Sequence, residues 1–230
     1  MKNILIVVTL ILISSSSFAQ NKKYWIEGYS YKYSALYVNQ QGDALSNETI
    51  LITPRDTIFN FNQTLLVYHF SQQNIVLKSR TDSIVGFNNM WVDSIGEGAL
   101  ENSELWIHPF RSNQYILTEI SSFPQIKFSP SLGIKWKSTL TLPSEWGNFS
   151  GKVKNRYEIV AKESREYSWG IENNCWKTES FGKHNRMGKS CLITYFKEEY
   201  GFLEMNYHLF NGDRIMFELI EVNKTLSNKT

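Results

Sequence analysis

The sequence predicts an all-β protein: a single, strongly curved, mostly antiparallel sheet, formed as an open barrel or half-barrel with minor helix. Three observations carry this. Apolar residues rarely recur at the 3.6-residue spacing of an amphipathic helix, while alternating polar and apolar runs occupy most of the chain. Tyr, Trp, Ile and Phe fill those runs, and these residues suit a pleated surface with one buried face. Clusters of Gly, Asn, Asp and Pro divide the runs into short segments. A sheet this aromatic has to bury a face, so it must wrap on itself or on a second layer.

The chain starts with a leader. Lys2 precedes an apolar run, Ile4 to Ile13, that is too short to span a bilayer as a mature helix. Ser17 and Ala19 put small residues at the −3 and −1 positions of a cleavage site, so residues 1–19 read as a signal peptide cut between Ala19 and Gln20. No cysteine follows the apolar run, which argues against a lipid anchor, and no later segment approaches the ~18 apolar residues of a transmembrane anchor. The expected location is secreted or periplasmic. Loss of Lys2 leaves 23 Lys+Arg against 22 Asp+Glu, a net of +1. That balance gives no electrostatic case for nucleic acid. Residues 20–222 read as one β domain, with a weak subdivision near residue 100 as the alternative, and 223–230 as a disordered tail.

The first strand is "YWIEGYSYKYSALYV". Trp25, Tyr29, Tyr31, Tyr33 and Tyr37 share one face, which is either packed core or a stacking surface for a ligand. Further strands are expected at Thr49–Ile52, Thr64–Phe70, Asn74–Lys78, Leu105–His108 and Gln114–Ile120. "GFNNMWVDSIGEGALENS" reads as a loop-rich crossover punctuated by Gly86, Gly96 and Gly98, and "SSFPQIKFSPSLG" as an extended link. Then "IKWKSTLTL", "KVKNRYEIVAK", "REYSWGI", "CWKTES" and "CLITYF" follow as an antiparallel meander.

The last hairpin, "GFLEMNYHLFNGDRIMFELIEV", can be read to its register. A two-residue Asn211-Gly212 loop would set Met205 against Glu218 and scramble both faces. A three-residue loop, Phe210-Asn211-Gly212, sets Met205 against Phe217 and Tyr207 against Ile215, and puts glycine at the left-handed position.

Chemistry is scarce. "GKHNRMGKSC" resembles the end of a phosphate loop, but five residues separate Gly182 from Gly188 where four are required, and a strand follows where a helix is needed. His184 is expected in the solvated hairpin tip. The histidines share no metal-ligand spacing, no G-x-S-x-G occurs, and no carboxylate pair stands out, so no catalytic set, metal or cofactor is expected. Cys175 and Cys191, in an oxidising compartment, are expected to form a disulfide between neighbouring strands. "ELWIHPFR" offers Trp106, His108 and Arg111 as an aromatic plate, a titratable ring and a fork donor at the mouth of a pocket; the alternative is an ordinary strand end.

The segments "WIHPFRSNQYILTEISSFPQIKFSPSLGIKWKSTLTL" and "ITYFKEEYGFLEMNYHLFNGDRIMFELIEV" resemble an uncharacterised family of secreted Bacteroidota proteins, and the second half is faintly similar to periplasmic TapB-like β domains of unknown function. The resemblance implies an extracytoplasmic location and an antiparallel β architecture, with no activity attached. The expected role is non-catalytic: capture of an apolar or amphipathic ligand (a lipid or glycan) or of an envelope protein on the aromatic face. The alternatives are a structural or assembly factor of the envelope, and a hydrolase of envelope glycans or peptides.

Overall fold

The computed structural model describes residues 24–25, 28–59, 63–86, 94–101 and 103–224, with side chains described outside 56–59 and 94–101. The leader, the Ala19–Gln20 cleavage site and residues 225–230 lie outside the described residues. The expected fold class is the observed one. Twelve strands form one sheet, every neighbouring pair antiparallel: β1 (Tyr29–Val38), β2 (Ala44–Phe59), β3 (Gln63–Phe70), β4 (Ser94–Glu101), β5 (Glu104–Ile107), β6 (Gln125–Lys127), β7 (Lys135–Leu142), β8 (Gly151–Tyr167), β9 (Gly170–His184), β10 (Gly188–Lys197), β11 (Gly201–His208) and β12 (Arg214–Lys224).

The spatial order is β6-β5-β4-β3-β2-β1-β12-β11-β10-β9-β8-β7. The first and last strands therefore pair in the middle, and two meanders fan outward from them. The edge strands β6 and β7 are consecutive in sequence, joined only by residues 128–134. Laid flat, twelve strands at ~4.8 Å spacing would part the edges by about 50 Å. A link this short reaches about 25–30 Å at full extension. The sheet must therefore curl until its edges come within that reach, as an open barrel. Across the seam, Trp136 Nε1 donates to Gln125 Oε1 at 3.1 Å.

The barrel is plugged by its own chain. Between β5 and β6 the backbone enters the interior as a 3-10 helix, Asn113–Ile120, all of whose residues are buried. Helix α1 (Ile75–Val85) packs on this plug and on a second 3-10 helix, Ser144–Phe149. The Asn74 side chain accepts from Leu77 N–H, and Gly86 ends α1 at φ 82°. Arg80 of α1 pairs at 2.9 Å with Asp213, buried in the β11–β12 turn, which also receives the Tyr37 hydroxyl.

Two expected strands are thus helices. Asn74–Lys78 supplies the cap and first turn of α1, with Leu77, Thr81 and Val85 on its buried side. Gln114–Ile120 is buried on every side, so its pattern holds no face from which to choose a period. Conversely, Gly96 and Gly98 lie inside β4, and β12 runs on through Asn223 to Lys224. β4 and β5 pair from Gly98 opposite Ile107 to Glu101 opposite Glu104.

The final hairpin has the expected register, with Met205 opposite Phe217 and Tyr207 opposite Ile215. Leu209 and Asp213 close the three-residue loop, and Gly212 sits at φ 81°.

The disulfide is corrected. Cys191 lies opposite Phe181, six residues along β9 from Cys175, and both thiols are free. Six residues of strand amount to about 20 Å, far beyond the ~7 Å Cα separation a disulfide allows. The hairpin turns later than the sequence spacing suggests, because β9 runs to His184. Denatured, unreduced protein should therefore titrate two thiols per chain with Ellman's reagent; none would overturn the register.

His184 is corrected too. It is buried: its Nε2–H donates to Phe149 O at 2.8 Å, and its Nδ1 accepts from Arg186 N–H and Met187 N–H. It ties the β9–β10 turn to the second 3-10 helix. Gly182 faces inward as well. A Cβ there would lie 2.8 Å from Ser190 Oγ and 3.1 Å from Asn155 Oδ1, so a larger residue would have to displace these side chains.

Candidate functional site

The aromatic stripe of β1 is core. Tyr31, Tyr33 and Tyr37 are buried, Trp25 is buried beside Tyr24, and Tyr29 is half-buried against the same cluster. The space they face is filled by the plug. Phe110 meets Tyr33 edge-on at 5.4 Å, Tyr68 at 5.0 Å and Phe217 at 4.7 Å. Burial holds the Tyr33 and Tyr37 phenols well above their usual range, and Tyr33 donates to Phe202 O at 2.7 Å. The concave face therefore packs the plug.

Glu48 fastens the plug in polar terms. It projects from β2 into the interior, 4 % exposed. It accepts from Tyr115 Oη at 2.7 Å, from Gln72 N–H at 2.9 Å and from the Gln114 amide. Burial raises the carboxyl pKa above its ordinary 4.5, and these bonds pull it only partway back. The folded protein then holds more protons than the unfolded chain just above pH 4.5, so this group's contribution falls as pH rises through that window. In urea unfolding between pH 4.5 and 7, the Glu48→Gln variant should lose less stability with rising pH than the wild type. Parallel curves would count against a raised Glu48.

Trp106, His108 and Arg111 do come together. The Trp106 and His108 rings meet edge-on at 5.5 Å, and His108 packs against Phe123 at 4.9 Å. Arg111 donates to both oxygens of Glu119 at 3.2 Å, and Glu119 is buried. Burial first, and then the Arg111 charge, push the His108 pKa down to about 3. Such a ring stays neutral at ordinary pH, far from the near-neutral pKa that suits a general base. The cluster anchors the entry and exit of the plug. Among the described residues, no group of three or more His, Cys, Asp or Glu side chains could hold a metal ion.

A groove of about 570 Å³ lies on the outer side of β7, β8 and β9. Strand register builds it: Lys137 lies opposite Arg156, which lies opposite Phe181, and Lys135 lies opposite Glu158. Phe181 is 57 % exposed and Val160 38 % exposed. Two carboxylates at the groove have basic partners, Glu158 with Lys135 at 3.2 Å and Glu179 with Lys177 at 2.9 Å. Lys137 and Arg156 make no ion pair among the described residues, although like charges set opposite each other repel. This combination of exposed apolar surface and uncompensated cation suits an amphipathic anion. The sequence reading missed it. The available signal was Phe181 at the outward parity of "TESFGKH", where a strand normally carries a polar residue.

No family model matches the chain, and no curated protein matches it in sequence. Solved structures do resemble it. One is a candidate exported protein with a YmcC-like fold from Bacteroides fragilis, at TM-score 0.53 and 9 % identity, covering 87 % of this chain and 98 % of that one. Another is a candidate lipoprotein from Parabacteroides distasonis, at TM-score 0.49 and 10 % identity, covering 88 % and 98 %. At such identity the first shows a shared fold. No helix among the described residues is long and apolar enough to cross a membrane.

Proposed function

We propose that this is a non-catalytic extracytoplasmic binding protein that captures an amphipathic, anionic ligand or envelope partner in the β7–β9 groove. One observation carries the reading: Phe181 and Val160 stand exposed on the same groove as Lys137 and Arg156, two cations that make no ion pair among the described residues. The plug supports placing the site outside, because it occupies the concave face. The leader sequence supports export. The same reading takes the chain as a member of the uncharacterised Bacteroidota family that its sequence resembles, and the fold shared with the exported Bacteroides fragilis protein supports this.

Native mass spectrometry of protein purified from its own host tests it. A bound mass is expected on the wild type and should be lost from Phe181→Ser. An empty wild-type protein would overturn the reading.

A further inference from the structure

We propose that the free edge of β7 takes an acidic, extended peptide segment of a partner protein as a thirteenth strand. This rests on the groove reading above, whose Lys137 and Arg156 it shares, and places the partner segment along the β7 rim of that groove.

β7 is the terminal strand of the sheet, eight residues long, and among the described residues its strand pairing is with β8 alone. Its other edge offers a row of backbone donors and acceptors, the template on which strand addition is built. The opposite edge of the barrel cannot use this row along its length, because β6 has three residues and meets β7 through the Trp136–Gln125 side-chain contact.

The side chains of β7 dictate what fits. Lys135, Lys137, Thr139 and Thr141 are exposed on the outer side; Trp136, Ser138 and Leu140 are half-buried on the other. An added strand shows alternate residues to these two sides. On the outer side it lies beside Lys137, with Arg156 next behind, where carboxylates supply the missing counter-charge. On the inner side it lies beside Trp136 and Leu140, where apolar residues fit. The matching segment therefore alternates acidic and apolar residues. A second copy of this chain is disfavoured, since its β7 brings Lys135 and Lys137 again and no unpaired carboxylate. An acidic glycan could meet the cations and Phe181 but would leave the backbone edge unused.

The probe is an eight-residue peptide of alternating Glu and Val, capped at both ends, labelled and read by fluorescence anisotropy. The comparators are the same peptide with alternate amides N-methylated, its Lys-Val counterpart, and polygalacturonate. The protein variant is the surface double reversal K137E/R156E, checked for folding by circular dichroism. We expect the Glu-Val peptide to bind. Affinity should fall at least about tenfold on N-methylation and at least about tenfold on double reversal, while the Lys-Val peptide gains on the reversed protein. Equal binding of the N-methylated peptide means charge attraction without a strand, and overturns the proposal. Polygalacturonate binding in place of the peptide also overturns it and leaves the groove reading standing. If neither probe binds, the strand proposal falls; the native mass spectrum then decides separately whether the groove reading falls with it.

Discussion

Phe110→Ala should cost about 3–5 kcal/mol, the largest single loss expected in this protein, read as a lower urea midpoint at unchanged slope. The ring is 1 % exposed and is the apolar centre of the plug. Its three edge-on partners come from β1, β3 and β12. Each such aromatic pair adds ~0.5–1.5 kcal/mol beyond burial, and no neighbour can swing in to fill the space without leaving its own contacts. The polar fastening by Glu48 survives the substitution, so amide exchange should speed up first in residues 113–120 while the sheet stays protected. Phe181→Ser is the contrasting control. Its ring is 57 % exposed, so stability should move by less than ~0.5 kcal/mol while ligand capture is lost. Similar losses from both variants would mean that the groove floor is structural.

The part of this fold that could be read from sequence is the part governed by local alternation. The shared face of the β1 stripe was legible from its period-2 alternation, and the register of the last hairpin from that alternation together with one glycine in its loop. The plug was not, for a physical reason. Residues 113–120 are buried all round, and neither a helix nor a strand shows its period when it has no solvent side. Helix α1 was hidden by Ile75 and Val76, which look like strand residues but stand 69 % and 82 % exposed at its first turn. Its signals were the flanking residues, Asn74 before and Gly86 after. The groove was the least legible feature. Lys137, Arg156 and Phe181 belong to three strands, and only the register of β7 on β8 and β8 on β9 makes them neighbours. The same limit misplaced the cysteines, since a strand pair fixes contacts only once its turn is located.

Glu204→Gln is the second large effect, and it tests how the outer layer is held. The β8–β9 hairpin extends beyond its pairing with β10, and register shifts at Ile159/Ala161 and Glu163/Arg165 mark where its pairing is irregular. Its distal part is clasped by Glu204 of β11, which is 6 % exposed. Glu204 accepts from Arg165 Nε at 3.0 Å and Nη2 at 3.2 Å, from Tyr167 Oη at 2.9 Å and from Asn206 Nδ2 at 3.0 Å. The Arg165 guanidinium also lies 4.2 Å from the Tyr195 ring centre, and Tyr167 stacks on Trp169 at 4.8 Å. An amide in place of the carboxylate removes the charge and points an N–H at donors. Arg165 is 36 % exposed and can regain water, but the buried Tyr167 hydroxyl cannot. The expected loss is about 2–4 kcal/mol, below that of a fully enclosed pair. It should be local at first, with faster amide exchange over residues 163–175 before global unfolding. Lys197, paired with Glu172 at 2.8 Å, is a second clasp that keeps the hairpin from detaching altogether. A loss under ~1 kcal/mol with unchanged exchange would show that strand pairing alone holds the hairpin. Val160 sits at the first register shift and also lines the groove, so a loosened hairpin should weaken capture there too. Phe110→Ala should leave capture intact wherever the protein is folded, because the plug and the groove lie on opposite sides of the sheet.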